Sequence, residues 1–436
     1  MRITIAAAYA ALPLTVSAVL CGCGGPSSPG LAPSAPTQQS VMQSRPLRPN
    51  SSVPSYSVLT LQSLGGTVSF AINIDNSGQA SGTSFLSGDY VLHAQAWEHP
   101  PRTIDLGTLG GPNSAVFQYN HGRPGQFVGW SETSAIDPNN ENFCGLGTPH
   151  ICLGFSWQNG KMKSLPTLGG NNDNANDVNT HGQIVGTAET GTIDSSCNAP
   201  QVFDYRGLIW QPKGGVTILP PYTGDTVSYA YTMTQSGKQA VGNSGPCSAS
   251  TSHAVMWQNG VPTNLGTLGG TVNIALDINE HSQIVGNSDL YGNTATHSFL
   301  WQNGTMTDLG TLPGDADSFS GNINNRGQVV GESCDASGNC RGYLWENGTM
   351  TDLNTLVTSN ADGNILFGGN INDRGEIVGA AVDSTGIERA VLLIPHKGGH
   401  ASSHGVPMSR LSKTAQLRLH DLRSRFFKLG KPGMPQ

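Results

Sequence analysis

Three sets of residues in this chain have the types and spacing to do chemistry. Asp173, Asp177 and Asp277 are the acids that could work as a general acid and base, as a lyase or hydrolase acting on carbohydrate would need. His93, Arg206, His253, His297, Arg341 and Arg389 recur at one register of a repeating pattern, with Leu153 as the exception. A ring of cation-capable groups would draw in an acidic polymer, more strongly below about pH 6.5 as the histidines charge. Cys144, Cys152, Cys197, Cys247, Cys334 and Cys340 could be disulfides or zinc ligands, and the lack of any Cys-x-x-Cys favours disulfides.

Spacing sharpens the cysteine reading. Cys334 and Cys340 flank the short tip Asp-Ala-Ser-Gly-Asn, and Cys144 and Cys152 flank a slightly longer one, so both pairs suit local bridges. Each would contribute about 2 to 3 kcal/mol on the loop-entropy model. Cys197 and Cys247 occupy equivalent loops of neighbouring repeats and are expected to pair across them. For the acids and the cations a plainer explanation competes and is preferred: each group satisfies backbone and side-chain partners in its own structural unit. Trp130 lies outside the repeated tryptophan position and precedes a long loop, which makes it a candidate ligand contact. Acidic turns at Asp315, Asp317 and Asp335 could hold calcium, but no loop of alternating ligands ends in Glu, so no cofactor is expected. No Gly-x-Ser-x-Gly, His-Glu-x-x-His or phosphate-binding loop occurs in the sequence.

These residues are positioned by a repeat. Leu64, Leu109, Leu168, Leu219, Leu268, Leu312 and Leu356 precede a turn, usually Leu-Gly-Gly. Gly82, Gly129, Gly186, Gly242, Gly286, Gly331 and Gly379 close the second strand, all but Gly82 after a Val, and Trp97, Trp157, Trp210, Trp257, Trp301 and Trp345 end an aromatic strand, with Leu393 in the last copy. The tryptophans read as core. Apolar residues alternate with period two, and Asn-Gly tips separate them, so each copy of about 45 residues reads as four short antiparallel strands. That is the signature of a β-propeller blade, and seven copies predict an all-β, seven-bladed propeller over 55–395. The last copy lacks a fourth strand while Ser57 to Leu64 supplies one at the other end, so the two termini should complete one blade and close the ring. Within the innermost strands a small position (Ala71, Val116, Ala175, Ala230, Ala275, Ser320, Gly368) precedes by two a polar one (Asn73, Gln118, Asp177, Thr232, Asp277, Asn322, Asn370), which suggests a polar central channel.

His253-Ala254-Val255-Met256-Trp257 and His297-Ser298-Phe299-Leu300-Trp301, each followed by Gln-Asn-Gly and a strand ending Gly-Thr-Leu, resemble the HAF-type extracellular repeats. The resemblance covers about residues 56–395. It implies an extracellular or cell-surface protein and carries no established activity, catalytic residue or ligand. Copies two to four depart most, through longer loops and through Leu219-Pro220-Pro221 in the fourth.

Composition and the chain ends give the expected address. Charged residues are 12% of the chain while glycine numbers 57 and proline 26, as in a turn-rich exported protein. Arg2 and the apolar run Ile3 to Leu20 read as a signal peptide (1–22), and Leu20-Cys21-Gly22-Cys23 resembles a bacterial lipobox with Cys23 as the lipidated residue. Residues 23–54 are a Pro/Ser-rich tether and 396–436 a basic tail with helical spacing at Met408, Leu411, Ala415, Leu422 and Phe426, suited to a membrane surface or to the acidic propeller. The combined expectation is a non-enzymatic, lipid-tethered propeller on a bacterial outer membrane or cell surface, binding a polysaccharide or protein partner and no nucleic acid. A secreted carbohydrate-active enzyme and a purely structural surface protein are the alternatives.

Overall fold

The computed structural model describes residues 54–98, 102–116, 123–358 and 363–396. The signal peptide, Cys23 and the tether up to residue 53, Gln118 and the tail beyond His396 lie outside them. In the fifth copy Gly269–Ile278, Ile284–Leu290, Thr296–Gln302 and Thr305–Asp308 pair antiparallel in chain order. The second, third, fourth and sixth copies form sheets of the same order, while the first and last share an eight-stranded sheet joined at a parallel bridge between Val68 and Glu388. Successive sheets pack on one another, and Asn364–Ile371 of the last copy packs on Gly65–Ile74 of the first. The chain is a β-propeller. Among the described residues no helix is long and apolar enough to cross a membrane.

The N-terminal strand Ser55–Thr60 completes the last copy, running antiparallel to Glu388–His396 from Ser55 opposite His396 to Thr60 opposite Val391. Its other edge is also bonded: the Tyr56 amide donates to the Leu356 carbonyl at 2.8 Å, and the Tyr56 carbonyl accepts from the Thr358 amide at 3.0 Å. Tyr56 is buried with Leu344, Leu353, Ile365, Ile377 and Leu393.

Two local devices explain the repeated sequence. In five of the six copies whose turn is described, with Thr234 of the fourth as the exception, the Asn or Asp just after the innermost strand folds the next turn with its own side chain. In Asn279 the Oδ1 accepts the amides of His281 and Gln283 at 3.0 and 3.1 Å, while Nδ2 reaches Gln283 Oε1 at 2.7 Å. Asn179, Asn324 and Asn372 repeat this arrangement, and Asp75 accepts the same pair of amides. Such turns are what Asn and Asp side chains favour. The second device is a β-bulge in the same place in six inner strands, between Ala71 and Asn73, Ala175 and Asp177, Ala230 and Thr232, Ala275 and Asp277, Ser320 and Asn322, and Gly368 and Asn370. The bulge corrects the reading of a small and a polar residue on one channel-facing side. With one residue extruded between them, the two become neighbours in register and face opposite ways.

The bulge also sets the polar residues against the following copy. Asp277 accepts the Ile323 amide at 2.9 Å, Asp177 the Met233 amide at 3.2 Å, and Asn322 the Ile371 amide at 3.3 Å. One turn further on, the Asn279 amide donates to the Asn324 carbonyl, Asn324 to Asn372, and Asn372 to Asp75 across the closure, at 3.0 to 3.1 Å. Side chains thus stitch each copy to the next. Trp97, Trp157, Trp210 and Trp257 are core, as expected, while Trp301 and Trp345 are only half-buried; the indole N–H of Trp97, Trp210 and Trp257 donates to the carbonyls of Gln62, Pro166 and Pro220 in the turn that opens the same copy. This registers the fourth copy differently from the leucine pattern. Tyr222, whose amide donates to Ser244 Oγ as Leu64 does to Ser84 and Leu268 to Ser288, occupies the slot, while Leu219 ends the preceding strand.

Candidate functional site

In an antiparallel meander the loop between the second and third strands and the turn that opens the next copy lie at the same end. That end carries all three disulfides. Cys144–Cys152 and Cys334–Cys340 close local loops, and Cys197–Cys247 joins the loops of the third and fourth copies, the pairing expected from spacing. Further bonds fuse the long loops of copies two to four into one plate. Glu141 reaches from the second copy to accept the Val202 amide of the third at 2.6 Å, and Asn198 donates to the Ser248 carbonyl of the fourth at 2.8 Å. Beneath lie Phe143, Tyr205, Tyr229 and Tyr231, the three tyrosines lining a cavity of about 30 Å³, room for little more than a water.

The plate rests on a buried acid and amide network. Gln201 Nε2 bridges Glu189 and Glu141 at 2.7 and 3.3 Å, and Asn172 Nδ2 bridges Asp137 and Glu189 at 2.9 and 3.1 Å. Burial pushes the Glu189 carboxyl up to about 8, the nearby Glu141 charge adds to this, and the amide donors offset part of it. Burial raises Glu141 too, against the amides of Val202 and Phe203. The folded state therefore keeps a proton on Glu189 that the unfolded chain releases near the ordinary value of 4.5. Stability should fall as pH rises from about 4.5 to about 8, by up to about 1.4 kcal/mol per pH unit, and level off above. Glu189→Gln is expected to remove this contribution and leave the slope that the buried Asp173 and Glu141 add, a difference that urea unfolding between pH 5 and 9 measures directly. An unchanged slope would place the proton elsewhere.

The structure places the sequence-derived candidates as follows. Asp173 is fully buried, accepts the Gly154 amide at 2.6 Å and, through burial, is held well above the usual carboxylate range. Asp177 and Asp277 are fully buried and used between copies, so the three acids do not converge on an open site. Five of the six cations form ion pairs with acids, and Arg389 donates to Ser63 Oγ at 3.4 Å. His93 meets Asp105 and His297 meets Asp308 at 2.9 Å, His253 meets Asp225 at 3.0 Å, Arg206 meets Asp204 at 2.9 Å, and Arg341 spans Asp315 and Asp352 at 2.9 and 3.1 Å. Trp130 is a correction: it is fully buried among Phe143, Tyr205 and Tyr229 and donates to Asn176 at 3.3 Å. Both faces of its strand are covered at that point, so a position outside the repeat did not mean exposure.

The acidic turns are likewise occupied, Asp317 by the Thr296 amide at 2.8 Å and Asp335 by Ser337 and Asn339 at 2.8 and 3.0 Å. Two sets of potential metal ligands, Asp194 with Cys197 and Cys247 and Glu332 with Cys334 and Cys340, have their sulfurs committed to disulfides. Sequence reasoning passed over Tyr90 and Tyr291 on loops, and Ile136 and Ile193 at strand ends, of this same end, at 91, 86, 52 and 71% exposure. An open groove of about 420 Å³ also runs beside the closing strand, past Leu59, Gln62, Ser63 and Arg389.

No protein-family model and no curated protein matches the chain. Among solved structures it aligns with the β-propeller domain of the Trilobed protease from Pyrococcus furiosus at 9% identity and a TM-score of 0.46, covering 77% of this chain and 99% of that one. It aligns with the Pyrococcus horikoshii acylaminoacyl peptidase at 10% identity and 0.46, covering 79% of this chain and 54% of the peptidase. With TolB from Acinetobacter baumannii the figures are 10% and 0.36, covering 71% and 77%.

Proposed function

We propose that the chain is an exported binding module that holds a polymer or protein partner on its disulfide-bearing face, without catalysis. The observation that carries this reading is the cross-bonded plate of copies two to four, where Cys197–Cys247 and the Glu141 bond to Val202 fix long loops into a preformed surface. Preformed loops bind with little ordering cost. The acids open to a catalytic reading support it too, because Asp177 and Asp277 are spent on main-chain amides of the following copy and Asp173 is enclosed against Gly154. Three disulfides suit an oxidising compartment. In this reading Cys23 carries a lipid, residues 24–54 act as the tether, and the HAF-type resemblance agrees with display at a cell surface.

The test is a screen of the full chain, made with its disulfides intact, against polysaccharides and surface proteins, with product release assayed in the same wells. Binding without turnover is the expected result. Turnover that disappears in Asp173→Asn would establish the carbohydrate-active enzyme instead, and a chain that binds nothing would favour a structural role.

A further inference from the structure

Copies one and five carry the same six-residue loop at the disulfide-bearing end. Leu86-Ser-Gly-Asp-Tyr-Val91 closes with the Leu86 amide on the Val91 carbonyl at 2.8 Å, and Leu290-Tyr-Gly-Asn-Thr-Ala295 with Leu290 on Ala295 at 2.9 Å. Gly88 and Asp89 in one, and Gly292 and Asn293 in the other, take consecutive positive φ values. In both, the Asx side chain clamps the turn that opens its own copy. Asp89 accepts the amide and hydroxyl of Thr67 at 2.7 and 2.6 Å, and Asn293 accepts the Thr271 amide and donates to its hydroxyl, each at 2.9 Å. The clamp leaves one tyrosine standing out from each loop, Tyr90 just after the Gly-Asx pair and Tyr291 just before it. The strand that follows begins in each case with the same ion pair, His93 with Asp105 and His297 with Asp308.

These two loops lie on either side of the fused plate, one in the copy before it and one in the copy after. The local disulfide Cys334–Cys340 closes the equivalent loop of copy six, and that of copy seven holds Asp383, Ser384, Thr385 and Gly386 with no aromatic. The Asx clamp holds each tyrosine outward on a bonded loop at about nine-tenths exposure, so each presents a fixed aromatic face of the kind that stacks on a ligand. Three observations choose the partner. The tyrosines are isolated on separate loops, each beside hydroxyl, amide or carboxylate groups, which suits a sugar ring and its hydroxyls better than the continuous apolar area of a protein interface. They bracket three copies, which calls for an extended ligand. The neighbouring histidines are each engaged by an aspartate, which leaves no surplus of positive charge there to draw in an acidic polymer.

We propose that Tyr90 and Tyr291 are stacking contacts for a neutral polysaccharide lying across the plate. This rests on the binding reading above and names its ligand class. The experiment is affinity electrophoresis of the full chain through gels holding neutral polysaccharides (β-glucan, xylan, galactomannan, starch) or acidic ones (alginate, hyaluronate). At least one neutral gel should retard the protein. Tyr90→Ala and Tyr291→Ala should each weaken binding by about three- to tenfold, the double variant should lose most of it, and Tyr→Phe should keep it, since the ring makes the contact. Both side chains are exposed, so melting temperatures should match the wild type. Retardation in acidic gels alone, or a double variant that binds like the wild type, would overturn the proposal while leaving the binding reading intact. Absence of retardation in every gel together with capture of a surface protein would also overturn it in favour of a protein ligand, and absence of both would remove the binding reading as well.

Discussion

A chain that begins at Gln62 should not give a soluble protein with a single sharp thermal transition, whereas one that begins at Gly24 should. The difference is the closing strand. Removing it takes Tyr56 and Leu61 out of the core, worth about 1.5 to 3 kcal/mol each in burial alone, and strips the pairing from Glu388–His396. It also leaves Val391 and Leu393 on an open edge that invites aggregation. Against a typical total stability of about 5 to 15 kcal/mol the loss is decisive. Tyr56→Ala is the milder probe: it removes the ring buried against Leu353, Ile365 and Leu393 and should cost about 3 to 5 kcal/mol while the strand stays paired. Circular dichroism melts of both variants check this. A chain from Gln62 that melts at the wild-type temperature would show that the ring holds without its N-terminal strand.

That closure was legible because it depends only on counting strands: one copy lacks its fourth, and Ser57 to Leu64 offers one. Cys197–Cys247 was legible for a related reason, since equal loop positions in neighbouring copies sit close together, and the other two disulfides from the short spacing of their cysteines within one loop. The bulges were not. Ala175 and Asp177, or Ala275 and Asp277, are two apart, and strict period two places them on one side; only pairing with the second strand reveals the extruded residue. Everything that followed from the channel reading inherited this error, which is why Asp177 and Asp277 looked available for catalysis. The acid network under the plate and the two tyrosine loops were missed because each depends on contacts between segments far apart in the chain, such as Glu141 with Val202, or Asp89 with Thr67. A Gly-Asx pair beside a lone tyrosine in two copies was the available signal for the loops.

The bulge carries a second large prediction, because it accounts for the invariant glycine of each Val-Gly strand in this chain. A Cβ on Gly286 would lie 2.0 Å from the Ile274 carbonyl oxygen and 2.7 Å from Phe299 Cζ, and one on Gly186, Gly331 or Gly379 would lie 2.0 to 2.1 Å from the matching carbonyl of its own inner strand. None of these glycines has a positive φ, so the requirement is room rather than backbone freedom. Gly286→Ala should therefore cost at least the upper end of the about 1 to 3 kcal/mol usual for overpacked cores, and lower the melting temperature by about 5 °C or more. The carbonyl, not the ring, is the obstacle. Phe299 can turn aside, but the Ile274 oxygen is main chain in a strand laddered to Ile284–Leu290 and tied to the following copy through Asp277, so moving it disturbs the bulge and the Asp277 bond to Ile323. Adding Phe299→Leu to Gly286→Ala should then fail to recover the lost stability, and Gly331→Ala should behave like Gly286→Ala one copy further round the ring. Recovery in the double variant, or a Gly286→Ala protein that melts within a degree of the wild type, would mean that the side chains rather than the bulged main chain set the spacing of the inner strands.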